Sequence, residues 1–157
     1  MRWSELRLPP QSKVGEWIIP ASRTKNGRAI RIPLSASARE IIEAAELYQI
    51  NDLVFATFSG SPFQSWSKAK IALDRVINTN SSKRLEWTHH DLRRSFATYA
   101  CDELDALPEV VDRCLNHVGA ATSSTVARVY ARGALFDQRR KVLEAWSEAI
   151  LDAVDRY

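Results

Sequence analysis

Five side chains spread across most of the chain could do chemistry, and each needs weighing alone before the set means anything. His90-Asp91-Leu92-Arg93 puts an imidazole and a guanidinium three positions apart at what reads as the opening of a helix. On a helix that spacing places both on one face, where they can address a single anion. The helix start adds backbone N–H groups and the positive end of its dipole. Taken alone, the pattern is short, and a solvated surface pair is its ordinary meaning. Leu115-Asn116-His117 and Tyr130 say less one at a time, because a His at a helix end usually caps or satisfies a core and a Tyr usually packs. Lys25 stands beside Asn26-Gly27, with Arg23 and Arg28 flanking it. A turn lysine is ordinarily just exposed, but a protruding basic hairpin also has the shape to enter a DNA groove, where lysine meets phosphate as a point charge. His89, His90 and His117 raise the question of a metal. They lack the cysteines or carboxylates at ligand spacing that a four-coordinate zinc site draws on, so no metal is expected.

These residues need elements to hold them. Glu16 to Ala21 is rich in strand formers, and Ile30, Ile32 and Leu34 alternate with Arg31 and Pro33. Asn26-Gly27 between them predicts a hairpin, since both residues tolerate positive φ. A third strand is expected at Leu53 to Ala56. The rest predicts helix. Ser35 or Ser37 can cap a helix to about Tyr48, with Ile41, Ile42, Ala45 and Leu47 as its buried stripe. Ser65 to about Asn78 places Trp66, Ala69, Leu73 and Val76 at three- and four-residue steps. Asp91 to about Cys101 and Pro108 to about Asn116 follow. The segment from about Leu135 to Asp155 repeats Val142, Trp146, Ile150 and Val154 every four residues. That stripe is too apolar to stay in water and is expected to pack in cis.

At 157 residues the chain has the size of one domain. The predicted class is α+β, mainly α, with a small antiparallel sheet of about three strands on a helical body. Hydrophobic residues make up 45% and charged residues 26%, an ordinary globular balance. No apolar run approaches the ~18–20 residues of a membrane span. Met1 to Leu8 carries Arg2, Glu5 and Arg7 and does not read as a signal peptide. Cys101 and Cys114 form no CxxC pair, which points to a reduced, intracellular protein. The net charge of +3 favours a polyanionic partner without establishing one. Its distribution is more telling: Arg23, Lys25, Arg28 and Arg31 cluster, as do Lys83 and Arg84, Arg93 and Arg94, and Arg139 to Lys141.

Read together, the basic hairpin lysine, the H-x-x-R, the L-x-H and the Tyr follow one another in an order that resembles the catalytic domain of the tyrosine recombinases, specifically phage and prophage integrases. Met1-Arg2-Trp3-Ser4-Glu5-Leu6 resembles the LRWSDI that follows the family's first motif. Arg23-Thr24-Lys25-Asn26-Gly27-Arg28 with Ile32-Pro33-Leu34 resembles the hairpin of the catalytic lysine. His90 to Thr98 is close to the HDLRRTFAT block, and Leu115-Asn116-His117-Val118 and Val129-Tyr130-Ala131-Arg132 resemble the last two motifs. Trp66-Ser67-Lys68-Ala69-Lys70 and Gln138-Arg139-Arg140-Lys141 through Trp146 are similar to prophage integrases as well. The ordered set is far more specific than any of its parts, so an unrelated helical domain with coincident motifs explains little.

The resemblance implies a mechanism. Tyr130 would attack the scissile phosphate to give a 3′-phosphotyrosyl link and a free 5′-hydroxyl. His90 would serve as its acid–base partner, and Lys25 would protonate the leaving oxygen. Arg93 and His117 would stabilise the non-bridging oxygens. Arg23, Arg28 and Arg94 would contact DNA. No metal or diffusible cofactor is expected. The implied partners are double-stranded DNA and further protomers, as a tetramer on DNA, in the nucleoid-associated cytoplasm of a bacterial host. The family's first catalytic arginine lies before the Arg-Trp-Ser segment, and its DNA-binding domains lie further ahead. Residues 1–157 are therefore expected to be a single catalytic-domain fragment without them. Two alternatives share these residues: an inactive DNA-binding remnant of a truncated prophage integrase, and a type IB topoisomerase-like enzyme.

Overall fold

The computed structural model describes residues 1–25, 27–79, 86–117 and 125–156, with the backbone alone over 125–134. Asn26 of the expected turn and the Lys83–Arg84 cluster lie outside the described residues. The sheet has three antiparallel strands in the order β1 (Leu6–Arg7), β2 (Gly15–Ile19), β3 (Ile30–Leu34). Trp17 of β2 lies opposite Leu6 on one side and Ile32 on the other. β3 is an edge strand, so the missing N–H of Pro33 costs the ladder nothing.

Two details differ from what the sequence suggests. The third strand is Leu6–Arg7, whereas Leu53 and Ala56 form only isolated bridges, to Arg2 and Pro62. A two-residue strand is too short to show alternation. It is held close because Gly15 faces it: a Cβ there would stand 2.5 Å from Leu8 Cδ2. The β2–β3 connection is also longer than an Asn-Gly turn. The last ladder pair is Ile19 with Ile30, which leaves residues 20–29 as the loop. Pro20 has no N–H to offer a continuing ladder, and a 3-10 turn at Ala21–Arg23 follows it directly.

Among the described residues five helices complete the fold: α1 (Ala36–Glu46), α2 (Trp66–Thr79), α3 (His89–Asp102), α4 (Pro108–Cys114) and α5 (Thr125–Asp155). The cap of α1 is Ser35, whose hydroxyl accepts from the Ala38 amide at 3.2 Å. Glu144 of α5 adds a second cap, accepting from the Ala36 amide at 3.1 Å and setting a negative charge on the positive helix end. The inward face of α1 is Arg39, Ile42 and Ala45. Ile41 and Leu47 are 63% and 84% exposed, because one lies 100° round the helix from Ile42 and the other past its last turn. Buried Arg39 is satisfied by the carbonyls of Pro9 (2.9 Å) and Ser12 and by Glu43 (2.7 Å), so it pins the β1–β2 loop onto α1.

Two apolar cores result. Leu34, Ile42 and Val54 pack with Trp3, Leu6 and Trp17 between sheet and α1. Phe96, Ala100 and Val111 pack with Val142, Leu143 and Trp146 among α3, α4 and α5. Trp146 meets Phe96 edge-on with ring centroids 6.0 Å apart and Tyr99 at 5.2 Å, so the tail does pack in cis. The stripe is buried only in part, with Ile150 44% and Val154 66% exposed. On α2, Trp66, Leu73 and Val76 are exposed despite their spacing. Periodicity reports that a face is apolar; it does not supply a cover. Among the described residues no helix is long and apolar enough to cross a membrane.

A buried acid ties the sheet together at its edge. Glu5 is only 7% exposed and closes a 3-10 turn at Trp3–Glu5. Its carboxylate accepts from the Trp17 indole N–H at 3.0 Å and the Arg2 amide at 3.1 Å, and it pairs with the Arg23 guanidinium. Burial alone would raise its pKa. The Trp17, Arg23 and Arg2 donors outweigh that and hold it below its ordinary value of about 4.5. A depressed folded pKa contributes stability that is present above about pH 4.5 and lost as pH falls through the folded value. Glu5→Gln should therefore lose more stability at pH 6 than at pH 3, measured by urea denaturation; an equal loss at both would remove the ionised Glu5 from the account.

Trp146→Ala should cost about 2–3 kcal/mol, less than the full-burial figure because the ring is only partly covered. Ile150→Ala should stay within about 0.5 kcal/mol. Equal costs for the two in urea unfolding would contradict the packing described for α5.

Candidate active site

The α3 end of the site begins with a cap. The Asp91 carboxylate accepts from the Thr88 amide at 2.9 Å and the Thr88 hydroxyl at 2.8 Å. Those two bonds, the hydroxyl first, hold the Asp91 carboxyl below the usual aspartate range. In His90-Asp91-Leu92-Arg93 the acid is thus spent on starting the helix. His90 and Arg93 are left exposed, one turn apart on the same face.

The α4 end is set by how that helix stops. Asn116 has φ +55, the left-handed conformation that ends many helices. The His117 amide reaches back to the Asp112 carbonyl at 2.8 Å and the Asn116 amide to the Arg113 carbonyl at 3.3 Å, the paired bonds of a Schellman cap. The same reversal folds the His117 ring back onto its helix, with Nδ1 3.1 Å from Asp112 Oδ1. An ionised carboxylate only accepts, so Nδ1 carries the proton in that bond. Ending the helix also frees the Leu115 carbonyl, and the Arg93 guanidinium donates to it. One hydrogen bond therefore joins the H-x-x-R face to the Leu-Asn-His corner.

The remaining residues are placed less closely. Lys25 is exposed on the 20–29 loop, and the described contacts do not join it to His90, Arg93 or His117. The sheet reaches the helical body through α5: Arg139 donates to the Arg31 carbonyl at 3.0 Å, and Arg31 lies 4.7 Å over the Phe136 ring. Tyr130 lies in the second turn of α5, upstream of those contacts, and its side chain is outside the described residues. Of the three arginines expected on DNA, Arg23 is paired with Glu5 and Arg28 is exposed on the Lys25 loop. Arg94 lines a surface groove with Asp91, Asp102, Glu103 and Trp146, and its guanidinium stands 3.5 Å from Asp91. Sequence reasoning missed Glu5 and Asp112 as supports. An acid five residues before a motif histidine, across a helix end, was the available signal for Asp112.

The left-handed residue yields a test of the corner. Asn116→Val should destabilise by about 1–2 kcal/mol, since a branched side chain is strained there, while Asn116→Gly should stay within about 0.5 kcal/mol. Thermal or urea unfolding that ranks the two alike would refute the cap geometry.

The arrangement sets the Arg93 guanidinium, a group that binds oxyanions, between one helix start and one helix stop. The chain is 28% identical over 156 residues to the prophage integrase IntA of Escherichia coli (strain K12), a match covering 95% of this chain and 33% of that protein. It thus spans about a third of the length of the curated relative it matches. No solved structure matches it. Residues 1–134 match the phage integrase family, which takes in the sheet, the H-x-x-R helix, the Leu-Asn-His corner and Tyr130, and the chain belongs to that family.

Proposed function

We propose that residues 1–157 form the catalytic domain of a tyrosine site-specific recombinase that cuts and rejoins double-stranded DNA, acting with further protomers. The observation that supports this reading is the Arg93–Leu115 hydrogen bond, which ties the helix bearing His90 and Arg93 to the turn before His117 in a chain of this family. Tyr130 Oη attacks the scissile phosphorus and forms a new P–O bond as the bond to the 5′-oxygen breaks. His90 takes the tyrosine proton, which a phenol of pKa near 10 does not give up unaided. Lys25 delivers a proton to the departing 5′-oxygen. Arg93 donates to the non-bridging oxygens as charge builds on them, and His117, its Nδ1–H held by Asp112, joins it only with a second proton on Nε2. The phosphotyrosyl bond conserves the phosphodiester's energy, so a second 5′-hydroxyl can reverse the step without a nucleotide cofactor. Arg28 supplies a phosphate contact beside Lys25; Arg94, among acids, is expected to add less.

The test uses a pool of nicked duplexes in which loss of a short 5′ fragment traps the covalent intermediate. The expected result is a denaturant-resistant protein–DNA adduct that Tyr130→Phe abolishes and Arg93→Ala slows by about 10²–10³. Non-covalent binding should weaken with salt by about −0.9 in log K per log salt for each phosphate neutralised. Salt-sensitive binding with no adduct would overturn the enzymatic reading in favour of a DNA-binding remnant. Salt-independent binding would overturn both.

A further inference from the structure

The loop that carries Lys25 has a restraint problem. Residues 20–29 leave the ladder at Ile19 and rejoin it at Ile30, and an exposed loop of that length orders its tip only if something holds it. Internal bonds make it a unit. The Thr24 hydroxyl donates to the Arg28 carbonyl at 2.8 Å and accepts from the Arg28 amide at 3.0 Å, and the Gly27 amide, at φ +61, reaches the Thr24 carbonyl at 3.2 Å. Thr24 also binds the Ala21 carbonyl through its amide and hydroxyl, and the Arg23 amide binds the Pro20 carbonyl, so the unit takes in its root and can swing only as a whole about Pro20. The root, Pro20 to Arg23, sits on an open cleft of about 610 Å³ shared with Arg2, Ser4 and Arg7, not on a packed core.

We propose that Glu5 is a positioning residue for Lys25: its bridge to Arg23, two residues before the lysine, fixes the root of the loop and so the reach of the ammonium. The carboxylate divides its oxygens between two tasks. Oε2 takes the Trp17 indole and the Arg2 amide, which anchor the acid to β2 and to its own turn. Oε1 is left to face the Arg23 guanidinium. The acid is nearly buried, while the guanidinium remains 38% exposed, so the anchored partner is Glu5 and the positioned one is Arg23. This gives Arg23 a role distinct from touching DNA. The inference rests on the reading of Lys25 as the proton donor to the leaving oxygen.

Glu5→Gln isolates the bridge: its carbonyl can keep the Trp17 and Arg2 donors, while its NH₂ turns a donor toward a donor at Arg23. Amide hydrogen exchange should quicken at Thr24, Gly27 and Arg28 by about tenfold more than at the β2 and β3 amides, which change only with the loss of global stability. Cleavage is then compared on DNA with an ordinary 5′-oxygen and with a bridging 5′-sulfur at the scissile position. A thiolate, whose conjugate acid has a pKa near 8.5, leaves without a donated proton. Glu5→Gln should slow the oxygen substrate about tenfold and the sulfur substrate by less than about twofold, the ratio expected when only delivery of the Lys25 proton is impaired. If Glu5→Gln does not fold, Arg23→Gln is measured in its place on loop exchange and on the oxygen-to-sulfur ratio, which a lost DNA contact leaves unchanged because it slows both substrates alike. Unchanged loop exchange, or an equal deficit on both substrates, overturns the proposal. Lys25→Ala separates the two levels, since a defect that sulfur fails to rescue there sinks the role of Lys25 itself. Wild-type protein that cleaves neither substrate overturns the recombinase reading and this inference with it.

Discussion

The packing of Trp146 on Phe96 and Tyr99 holds α5 against α3, and the same helix meets β3 through Arg139 and Phe136 and caps α1 through Glu144. The sheet core and the helical core have separate buried residues, and among the described residues α5 is the element that packs on both. Lys25 belongs to the first core's side, and His90, Arg93 and His117 to the second's. Tyr130 rides on the element between them. A continuous helix of 31 residues, about 46 Å long, makes a stiff strut for that purpose.

Polar groups do the finer positioning. Glu5 and Arg39 are buried charges, each satisfied by donors or acceptors from other segments. Such pairs add little net stability because desolvation offsets their attraction, yet removing one partner is costly. Their effect is on shape: Arg39 sets the β1–β2 loop, and Glu5 sets the start of the β2–β3 loop. The Arg93–Leu115 bond belongs with them, because it fixes a helix start against a helix stop at a point where neither is deeply buried.

Local signals in the sequence were strong where short-range physics decides. Ser35 and Pro108 at the first turn of α4 mark helix starts, and β2 and β3 follow from strand formers and alternation, whereas Thr88 with Asp91 starts α3 at His89, two residues ahead of the expected Asp91. The family is legible in the ordered set of lysine, H-x-x-R, L-x-H and tyrosine motifs. What was illegible depended on tertiary partners. Leu53–Ala56 reads as strand but its neighbourhood is engaged elsewhere: the Asp52 carboxylate takes the Ser4 amide and hydroxyl. Ile41 and Leu47 read as buried because spacing identifies an apolar stripe but not its width. Glu5 read as one letter of a motif, and only the fold brings Trp17 and Arg23 to it.

Helix α2 carries a further consequence. A 14-residue helix is marginal in water without packing, and α2 contributes no residue to either core. Its supports among the described residues include the Phe63–Trp66 ring contact, the Lys70–Asp74 pair and Lys70 over Trp87. Few apolar contacts mean a small opening free energy, so α2 lies at the weak end of the chain's cooperative units and its helical content can melt while both cores stand. Heat or denaturant therefore meets a molecule whose secondary structure and tertiary packing need not be lost together.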